Sequence, residues 1–202
     1  MKSIINYKKS YTFSKYFDLK IEAKDLAQSF GYNFSRQRLY LPQFAGELEG
    51  IIELKDRIEE ILPLVSLEEK ARREILISPV ILNLIHYTKS ELRIEYFIKV
   101  NEQLQGYLDY FLQKQQNLLV IEAKKGDLDY GLTQLVAELI TLDKWEEKEE
   151  QIYIIGAITT GQIWQFCRID RQNKHIEQGL QIYRVPDDLE ILMRIMVQCL
   201  IV

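Results

Sequence analysis

Histidine and cysteine are scarce in this chain, and their scarcity counts against several classes of site. Among 202 residues there are two histidines, His86 and His175, and two cysteines, Cys167 and Cys199. Neither histidine has a histidine or cysteine partner at zinc-ligand spacing, and the cysteines give no disulfide framework. Any catalysis must therefore rest on carboxylates, lysines or tyrosines, and a reducing cytoplasm is the expected location.

Long apolar runs and nucleotide-binding glycine loops are also missing. No window of eighteen consecutive apolar residues is present, so we expect no contact with a membrane through a transmembrane span. Residues 1–9 are too polar for a signal peptide. The absence of a phosphate loop or dinucleotide fingerprint leaves an enzyme acting on small molecules without support.

Positive charge is concentrated at the amino-terminal end. The net charge of −4 is not typical of a nucleic-acid-binding protein. Residues 1–40, however, carry eight Lys or Arg against three Asp or Glu, whereas the remainder carries eighteen against twenty-seven. A basic arm on an acidic body suits contact with phosphate, and a solvated, poorly ordered terminus is the other interpretation.

Hydrophobic periodicity divides the chain into helices and strands. Helices are predicted over 18–30, 47–62, 71–77 (behind a capping box that opens at Ser66), 80–87 beyond a kink at Pro79, 129–145 and from about 187 to 200. Strands are predicted over 92–100, 104–112, 118–123, 151–158, 162–169 and 180–185. This order predicts an α/β protein in which helices cover both faces of a mixed sheet.

The tetrapeptide Ile-Glu-Ala-Lys occurs twice, at residues 21–24 and 121–124. The first copy falls inside the predicted helix 18–30, where its two charges point in different directions. The second copy follows a continuous apolar run typical of a strand buried on both faces. Glu122 and Lys124 would then project from one face, and such charges need a reason because unpaired buried charge is costly.

A third charge is expected beside this pair. The loop between the two preceding strands is centred on Gln115-Gln116, which places Asp109 opposite Glu122 in an antiparallel hairpin. Directly opposed side chains have Cβ atoms about 5 Å apart. We therefore expect Asp109, Glu122 and Lys124 to cluster on one face at the ends of their strands.

Such a cluster has the components of a hydrolytic site that uses no histidine. Two neighbouring carboxylates repel each other unless a cation lies between them, and hard oxygen ligands suit Mg²⁺ or Mn²⁺. A bound ion of this kind can polarise a phosphoryl oxygen and lower the pKa of a water. Lys124 can orient that water or stabilise negative charge on phosphate.

These residues resemble the core of the PD-(D/E)XK nuclease superfamily, the restriction-endonuclease-like proteins. Asp109 emerges from the apolar strand 106–110, and Glu122-Ala123-Lys124 follows after twelve intervening residues. The stretch 157–166, AITTGQIWQF, is similar to the T-N/D-G-x-x-W hairpin of nuclease domains in type I restriction subunits. The resemblance spans about half of the chain.

A helix motif adds to the resemblance. Glu69, with Arg73 and Pro79 behind it, resembles the E-x-x-x-R…P-x-L motif of the same nuclease domains. One departure is Leu108, which stands before Asp109 where some members have proline.

The resemblance implies a fold, an activity and partners. The fold is a restriction-endonuclease-like three-layer α/β/α core with a mixed central sheet over residues 63–202, preceded by a partly basic N-terminal helical extension over 1–62. The activity is divalent-metal-dependent hydrolysis of phosphodiester bonds, with DNA as the expected nucleic acid. A chain this small would need a homodimer or a larger partner protein to choose its target. The alternative is a catalytically idle module of the same fold that binds nucleic acid or protein.

The resemblance also implies roles for individual residues. The implied metal ligands for Mg²⁺ or Mn²⁺ are Asp109, Glu122 and the backbone carbonyl of Ala123. Lys124 would handle the attacking water, and Gln134 would hold Lys124 or contact a backbone phosphate. Either Glu69 or Glu74 would support the metal from the first core helix.

Each candidate also has an ordinary structural interpretation. Glu122 and Lys124 can be a salt-bridged strand end, and Asp109 a turn residue. Gln134 can simply pack on its helix. Glu69 has a local role of equal merit, because as the third residue after Ser66 it can bind the N-cap amide.

Overall fold

The chain folds around a seven-stranded mixed sheet. The computed structural model describes residues 5–65, 68–123, 128–145 and 151–201. Within these ranges the strands are β1 (Asn33–Gln37), β2 (Glu91–Asn101), β3 (Leu104–Lys114), β4 (Asn117–Ala123), β5 (Tyr153–Thr159), β6 (Ile163–Asp170) and β7 (His175–Arg184). The α/β class predicted from the sequence is confirmed.

Helices flank this sheet on both faces. They are α1 (Phe13–Asp18), α2 (Ala23–Ser29), α3 (Ile51–Ile61), α4 (Glu69–Arg72), α5 (Ser78–Thr88), α6 (Leu128–Trp145) and α7 (Leu189–Ile201). In the part of the chain that the structure describes, none of these helices has the length and apolar character needed to cross a membrane.

The strand order is β1-β7-β6-β5-β4-β3-β2. Two neighbouring pairs, β1 with β7 and β4 with β5, are parallel, and the other pairs are antiparallel. Strand β4 lies inside the sheet, and all seven of its residues are buried. Its continuous apolar run is what burial on both faces requires.

Two apolar cores lie on opposite faces of the sheet. Helices α3, α5 and α7 cover one face, and α1, α2 and α6 cover the other. Helix α6 is buried on every side from Gly131 to Leu142, because α1 and α2 pack on the face that it turns away from the sheet. The amino-terminal region therefore packs on the core and supplies an edge strand, β1.

The amino-terminal region differs from its prediction in two ways. The continuous helix predicted over 18–30 is wrong, because α1 ends at Asp18 and Lys20 adopts a left-handed backbone with φ of 52°. Glu22 is the residue immediately before α2, so α2 begins in the middle of the first Ile-Glu-Ala-Lys copy. The interpretation of a poorly ordered terminus is also wrong for the described residues, since Phe13 and Tyr16 are fully buried.

The kink predicted at Pro79 takes the form of a wide helical turn. Residues Arg73–Ile77 form a π-helical turn that joins α4 to α5. Proline has no amide hydrogen to donate to the carbonyl four residues earlier, and the Ser78 amide reaches back five residues to the Arg73 carbonyl. The Ser78 hydroxyl donates to the same carbonyl at 2.8 Å. The predicted capping residue, Ser66, lies outside the described residues.

Candidate active site

The hairpin that carries the predicted site has the predicted register. Strands β3 and β4 pair Lys114 with Asn117 and continue to Tyr110 with Ile121. A two-residue turn connects the strands, and Gln115 adopts a left-handed φ of 53° in it. The ladder ends one pair short of the predicted Asp109–Glu122 pair.

Asp109 instead contacts the backbone of β4. Its Oδ2 accepts a hydrogen bond from the Ala123 amide at 2.9 Å. Its Oδ1 lies 3.3 Å from the Nη1 of Arg73, at the start of the π-helical turn. The Asp109 carboxylate is thus fixed at the end of β4, beside the residue that follows Glu122.

The alternation of side chains between the two faces of the sheet is interrupted in β3 at Asp109. Leu108 belongs to the core under α6, whereas Tyr110 belongs to the core on the opposite face. In a regular strand, residues two apart point to the same face. The β2–β3 ladder skips Glu95, whose φ is 49°, at the level of Asp109. Asp109 therefore lies where β3 changes faces.

Glu122 is part of a buried polar cluster with α6. The Glu122 side chain is 1% exposed, and its Oε1 accepts a hydrogen bond from the Gln134 Nε2 at 2.8 Å. The same nitrogen donates to the Oε1 of Glu138 at 3.0 Å, and Glu138 has no exposed surface. The Gln134 amide thereby connects a strand carboxylate to a helix carboxylate.

The two glutamates share one low-dielectric environment. Burial raises the pKa of Glu138 well above its ordinary value of 4.5, and the neighbouring Glu122 carboxyl raises this pKa further. The Glu122 and Glu138 carboxyls are also within hydrogen-bonding reach of each other, and Asp109 acts on the Glu138 pKa in the same direction. Like charges this close favour a proton or a cation between them.

Arg73 and Glu138 are the site residues that the sequence analysis did not assign. Arg73 entered only as a motif position, yet it contacts Asp109, and its guanidinium also lies 5.3 Å from the Tyr110 ring centre. Burial is the largest single influence and lowers the pKa of Arg73, but Asp109, Tyr110 and Glu95 together outweigh it, so the pKa of Arg73 is raised. Glu138 follows Gln134 by four residues, the spacing of one helix face, and that spacing was the available signal.

The remaining candidates are placed as follows. Lys124 lies outside the described residues, and for Glu69 the structure describes the backbone, at the first position of α4. Glu74 is exposed and lines a groove of about 510 Å³ that also contains Arg73 and Tyr110. Trp164, the tryptophan of the stretch 157–166, is fully buried.

The Thr-Thr-Gly hairpin packs behind the helix that carries Arg73. Gly161 joins β5 to β6 with φ of 90°, and the Trp164 indole donates to its carbonyl at 3.0 Å. A Cβ at Gly161 would lie 3.1 Å from the Cβ of Leu76, in the π-helical turn. The hairpin thus supports the segment that brings Arg73 to Asp109.

The donor set at the end of β4 suits a hard divalent cation. Asp109, Glu122 and the Ala123 carbonyl offer only oxygen, the donor type that Mg²⁺ and Mn²⁺ prefer. Two of these three ligands are side-chain carboxylates, and the third is the backbone carbonyl of Ala123. Among the described side chains, no three from His, Cys, Asp and Glu are grouped so that they could hold a metal ion.

Comparisons with known proteins found no similarity to this chain. No protein-family model matches it, and neither curated proteins nor solved structures give a match. The function must therefore be argued from the geometry of the site.

Proposed function

We propose that this protein is a divalent-metal-dependent nuclease with a restriction-endonuclease-like fold, and that its substrate is a phosphodiester, with DNA as the expected form. The observation that carries the proposal is the hydrogen bond from the Ala123 amide to Asp109 at the end of a fully buried strand. This hydrogen bond holds the Asp109 carboxylate at Ala123, the residue that directly follows Glu122, so two acidic residues meet at the end of the strand. A cytoplasmic location and a homodimer or larger partner belong to the same proposal.

Each candidate site residue has a defined role in this proposal. Asp109, Glu122 and the Ala123 carbonyl would hold Mg²⁺ or Mn²⁺, which supplies polarisation of a phosphoryl oxygen and a more acidic water. Gln134 orients Glu122 through its 2.8 Å hydrogen bond. Lys124 is proposed to orient the attacking water, as the resemblance implies.

The groove beside Asp109 offers a place for the substrate backbone. It is about 510 Å³ in volume, and Lys70, Arg73, Ser78 and Tyr110 contribute donors to its lining. Glu74 and Glu95 line it as well, so a phosphodiester would be held by local cations in a mixed surface rather than by a broad basic patch.

A second candidate function is a catalytically idle module of the same fold. The observation that favours it is the Arg73–Asp109 ion pair, which neutralises one of the two carboxylates without a metal. In this alternative Arg73 and Asp109 are structural, and the protein binds nucleic acid or another protein.

Cleavage assays test the first candidate. Purified protein with Mn²⁺ or Mg²⁺ is expected to cut single-stranded or duplex DNA, and EDTA is expected to abolish cutting. Asp109→Asn and Lys124→Ala should each lower the rate by at least about a hundredfold, because the first removes a charged metal ligand and the second removes a cation that stabilises charge developing in the transition state.

The duplicated tetrapeptide supplies a matched control. Lys24→Ala alters the same four-residue sequence in the first copy, where Lys24 is exposed on α2, and should leave the cutting rate unchanged. Equal losses in Lys24→Ala and Lys124→Ala would contradict the assignment, as would the absence of cutting on every substrate with both metals.

Thermal unfolding tests whether the site binds a metal, and the cleavage assay then separates an active site from an idle one. Mn²⁺ at about 100 times its dissociation constant adds about 2.7 kcal/mol to a protein that binds it only when folded, about 5–10 °C for a chain of this size. A shift that Asp109→Asn removes, without cutting, would support the idle module. No shift in the wild type would contradict the metal site.

A further inference from the structure

A second polar cavity lies at the far end of α6 from Gln134. It measures about 830 Å³ and is lined by Tyr32, Asp143, Lys144, Gln151, Arg171, Gln172 and Lys174. Ten residues of helix separate Gln134 from Lys144, which corresponds to about 15 Å. The cavity is therefore distinct from the carboxylate cluster.

A buried ion pair forms the rigid part of this cavity. The Arg171 Nε donates to the Asp143 Oδ1 at 2.7 Å, and each side chain is 11% exposed. The Arg171 Nη2 also donates to the Asp143 backbone carbonyl at 3.2 Å, and the Tyr32 hydroxyl donates to the other carboxylate oxygen. Burial, followed by the hydrogen bond to Asp143, raises the pKa of Tyr32, so the hydroxyl keeps its proton.

This network engages both oxygens of the acid that lines the cavity. One Asp143 oxygen accepts from Arg171 and the other from Tyr32. Asp143 therefore forms its ion pair with Arg171, and its charge also acts on Lys144, whose pKa it raises.

Lys144 and Lys174 are two neighbouring cations at this cavity. Both are exposed, and both ammonium groups lie 6.0 Å from the centre of the Tyr32 ring. Burial lowers the pKa of Lys144, and the nearby Lys174 lowers it further. Within the described ranges neither ammonium forms an ion pair. Two like charges held over one aromatic ring repel each other, and an anion between them would relieve that repulsion.

We propose that this cavity is a phosphate-binding site, with Lys144 and Lys174 as the principal contacts. Both lysines line the cavity together with the amide-bearing residues Gln151 and Gln172, and a phosphate group offers several charged oxygens to such a set of donors. The bound group is either free phosphate or a phosphate of a nucleic-acid backbone.

Binding measurements in EDTA test this site without any dependence on the proposed cleavage. The ligands are inorganic phosphate and pyrophosphate, measured by calorimetry, and a fluorescein-labelled single-stranded oligonucleotide, measured by anisotropy at low salt. Lys144→Gln combined with Lys174→Gln should weaken binding at least about tenfold, because two charge-assisted contacts are lost.

Two further variants serve as controls. Lys55→Gln combined with Lys114→Gln removes the same charge elsewhere on the surface and should leave binding unchanged. Asp109→Asn should bind inorganic phosphate and pyrophosphate as the wild type does, so failure of the nuclease proposal would not resemble failure of this one. Since all four lysines are solvent-accessible, the variants should unfold at the wild-type temperature.

The sequence beyond α6 bears on the strength of binding. Residues 146–150 include four glutamates and lie outside the described residues. Replacing these glutamates with glutamine should tighten phosphate binding, because negative charge between Lys144 and Gln151 in the sequence is removed. Weaker binding in that variant would contradict an electrostatic phosphate site.

Which of the tested ligands bind to the wild-type protein shows where the phosphate group comes from. Binding of phosphate or pyrophosphate alone indicates a free anion, and binding of the oligonucleotide alone indicates a nucleic-acid backbone. If no ligand bound the wild type, or if both lysine pairs weakened binding equally, the assignment of this cavity would be overturned.

Discussion

Glu138 has no exposed surface and lies against a second carboxylate. Gln134 supplies a hydrogen bond to each of the two acids from a single nitrogen. An amide that faces two acceptors on one side cannot flip without directing its own oxygen at both carboxylates. Glu138 thereby helps to fix the orientation of Gln134, and through it the carboxylate of Glu122.

The raised pKa of Glu138 predicts a stability that depends on pH. Below its ordinary pKa of 4.5, the side chain is protonated in both the folded and the unfolded chain. Above that value the unfolded chain releases the proton while the folded chain retains it, so the free energy of unfolding falls as pH rises, by up to about 1.4 kcal/mol per pH unit. The fall continues until the folded pKa is reached.

Glu138→Gln should remove this fall, because glutamine does not ionise. Its free energy of unfolding relative to the wild type is expected to increase as the pH rises above 4.5, measured by urea unfolding in EDTA. Glu60→Gln, on the exposed face of α3, is the control and should show no such trend. A difference for Glu138→Gln that stays constant with pH would contradict a proton retained by the folded state.

At the scale of elements, the β5–β6 hairpin and the π-helical turn are packed together at Gly161. The residue is held at φ of 90°, and an added Cβ would lie 3.1 Å from Leu76. Gly31, after α2, has a similar φ of 85° but no atom within 4 Å of its added Cβ. A substitution at Gly31 therefore introduces backbone strain alone, whereas a substitution at Gly161 introduces both backbone strain and crowding.

Alanine substitutions at the two glycines should differ in cost. Gly31→Ala is expected to lower the free energy of unfolding by about 1 kcal/mol through left-handed strain alone. Gly161→Ala should cost about 2–3 kcal/mol, since crowding against Leu76 adds to the strain. Urea unfolding measures both values, and equal losses would mean that the hairpin does not press on the helical turn.

Local patterns predicted the central elements well. The midpoint of the Gln115-Gln116 loop gave the register of β3 and β4, since a two-residue connection leaves little freedom. Helix α6 followed from apolar spacing and begins one residue before the prediction. The predictions for β2, β5 and β6 were likewise within two residues at each end.

Non-local contacts were beyond the reach of sequence patterns. The start of β7 at His175, five residues before its prediction, reflects parallel pairing with β1 across more than a hundred residues. The contact of Arg73 with Asp109 depends on how a π-helical turn meets a strand that slips between faces. Neither event leaves a periodic signal in the sequence.

At the scale of the whole molecule, the amino-terminal region is a covering layer for α6. Its helices α1 and α2 close the outer side of that helix, and β1 extends the sheet beside β7. Phe13 and Leu26 are fully buried in this layer. The boundary predicted near residue 62 therefore separates two parts of one packed structure.

A fragment of residues 63–202 should consequently fail to fold alone. Its α6 would expose an apolar face that the full chain buries, and exposed patches of that kind cause association. We expect aggregation or broad, non-cooperative unfolding in calorimetry. Supplying residues 1–62 as a separate chain should restore a cooperative transition, and a fragment 63–202 that unfolds cooperatively by itself would contradict this description.

The complete enclosure of α6 has a consequence for communication across the molecule. Twelve consecutive residues, Gly131–Leu142, contact neighbours on every side, and such a helix cannot roll or slide unless both adjoining layers repack. It acts as an inert spacer between its ends. Occupancy at Lys144 and Lys174 should accordingly leave the affinity at Glu122 unaltered, and the two ends should respond to their ligands independently.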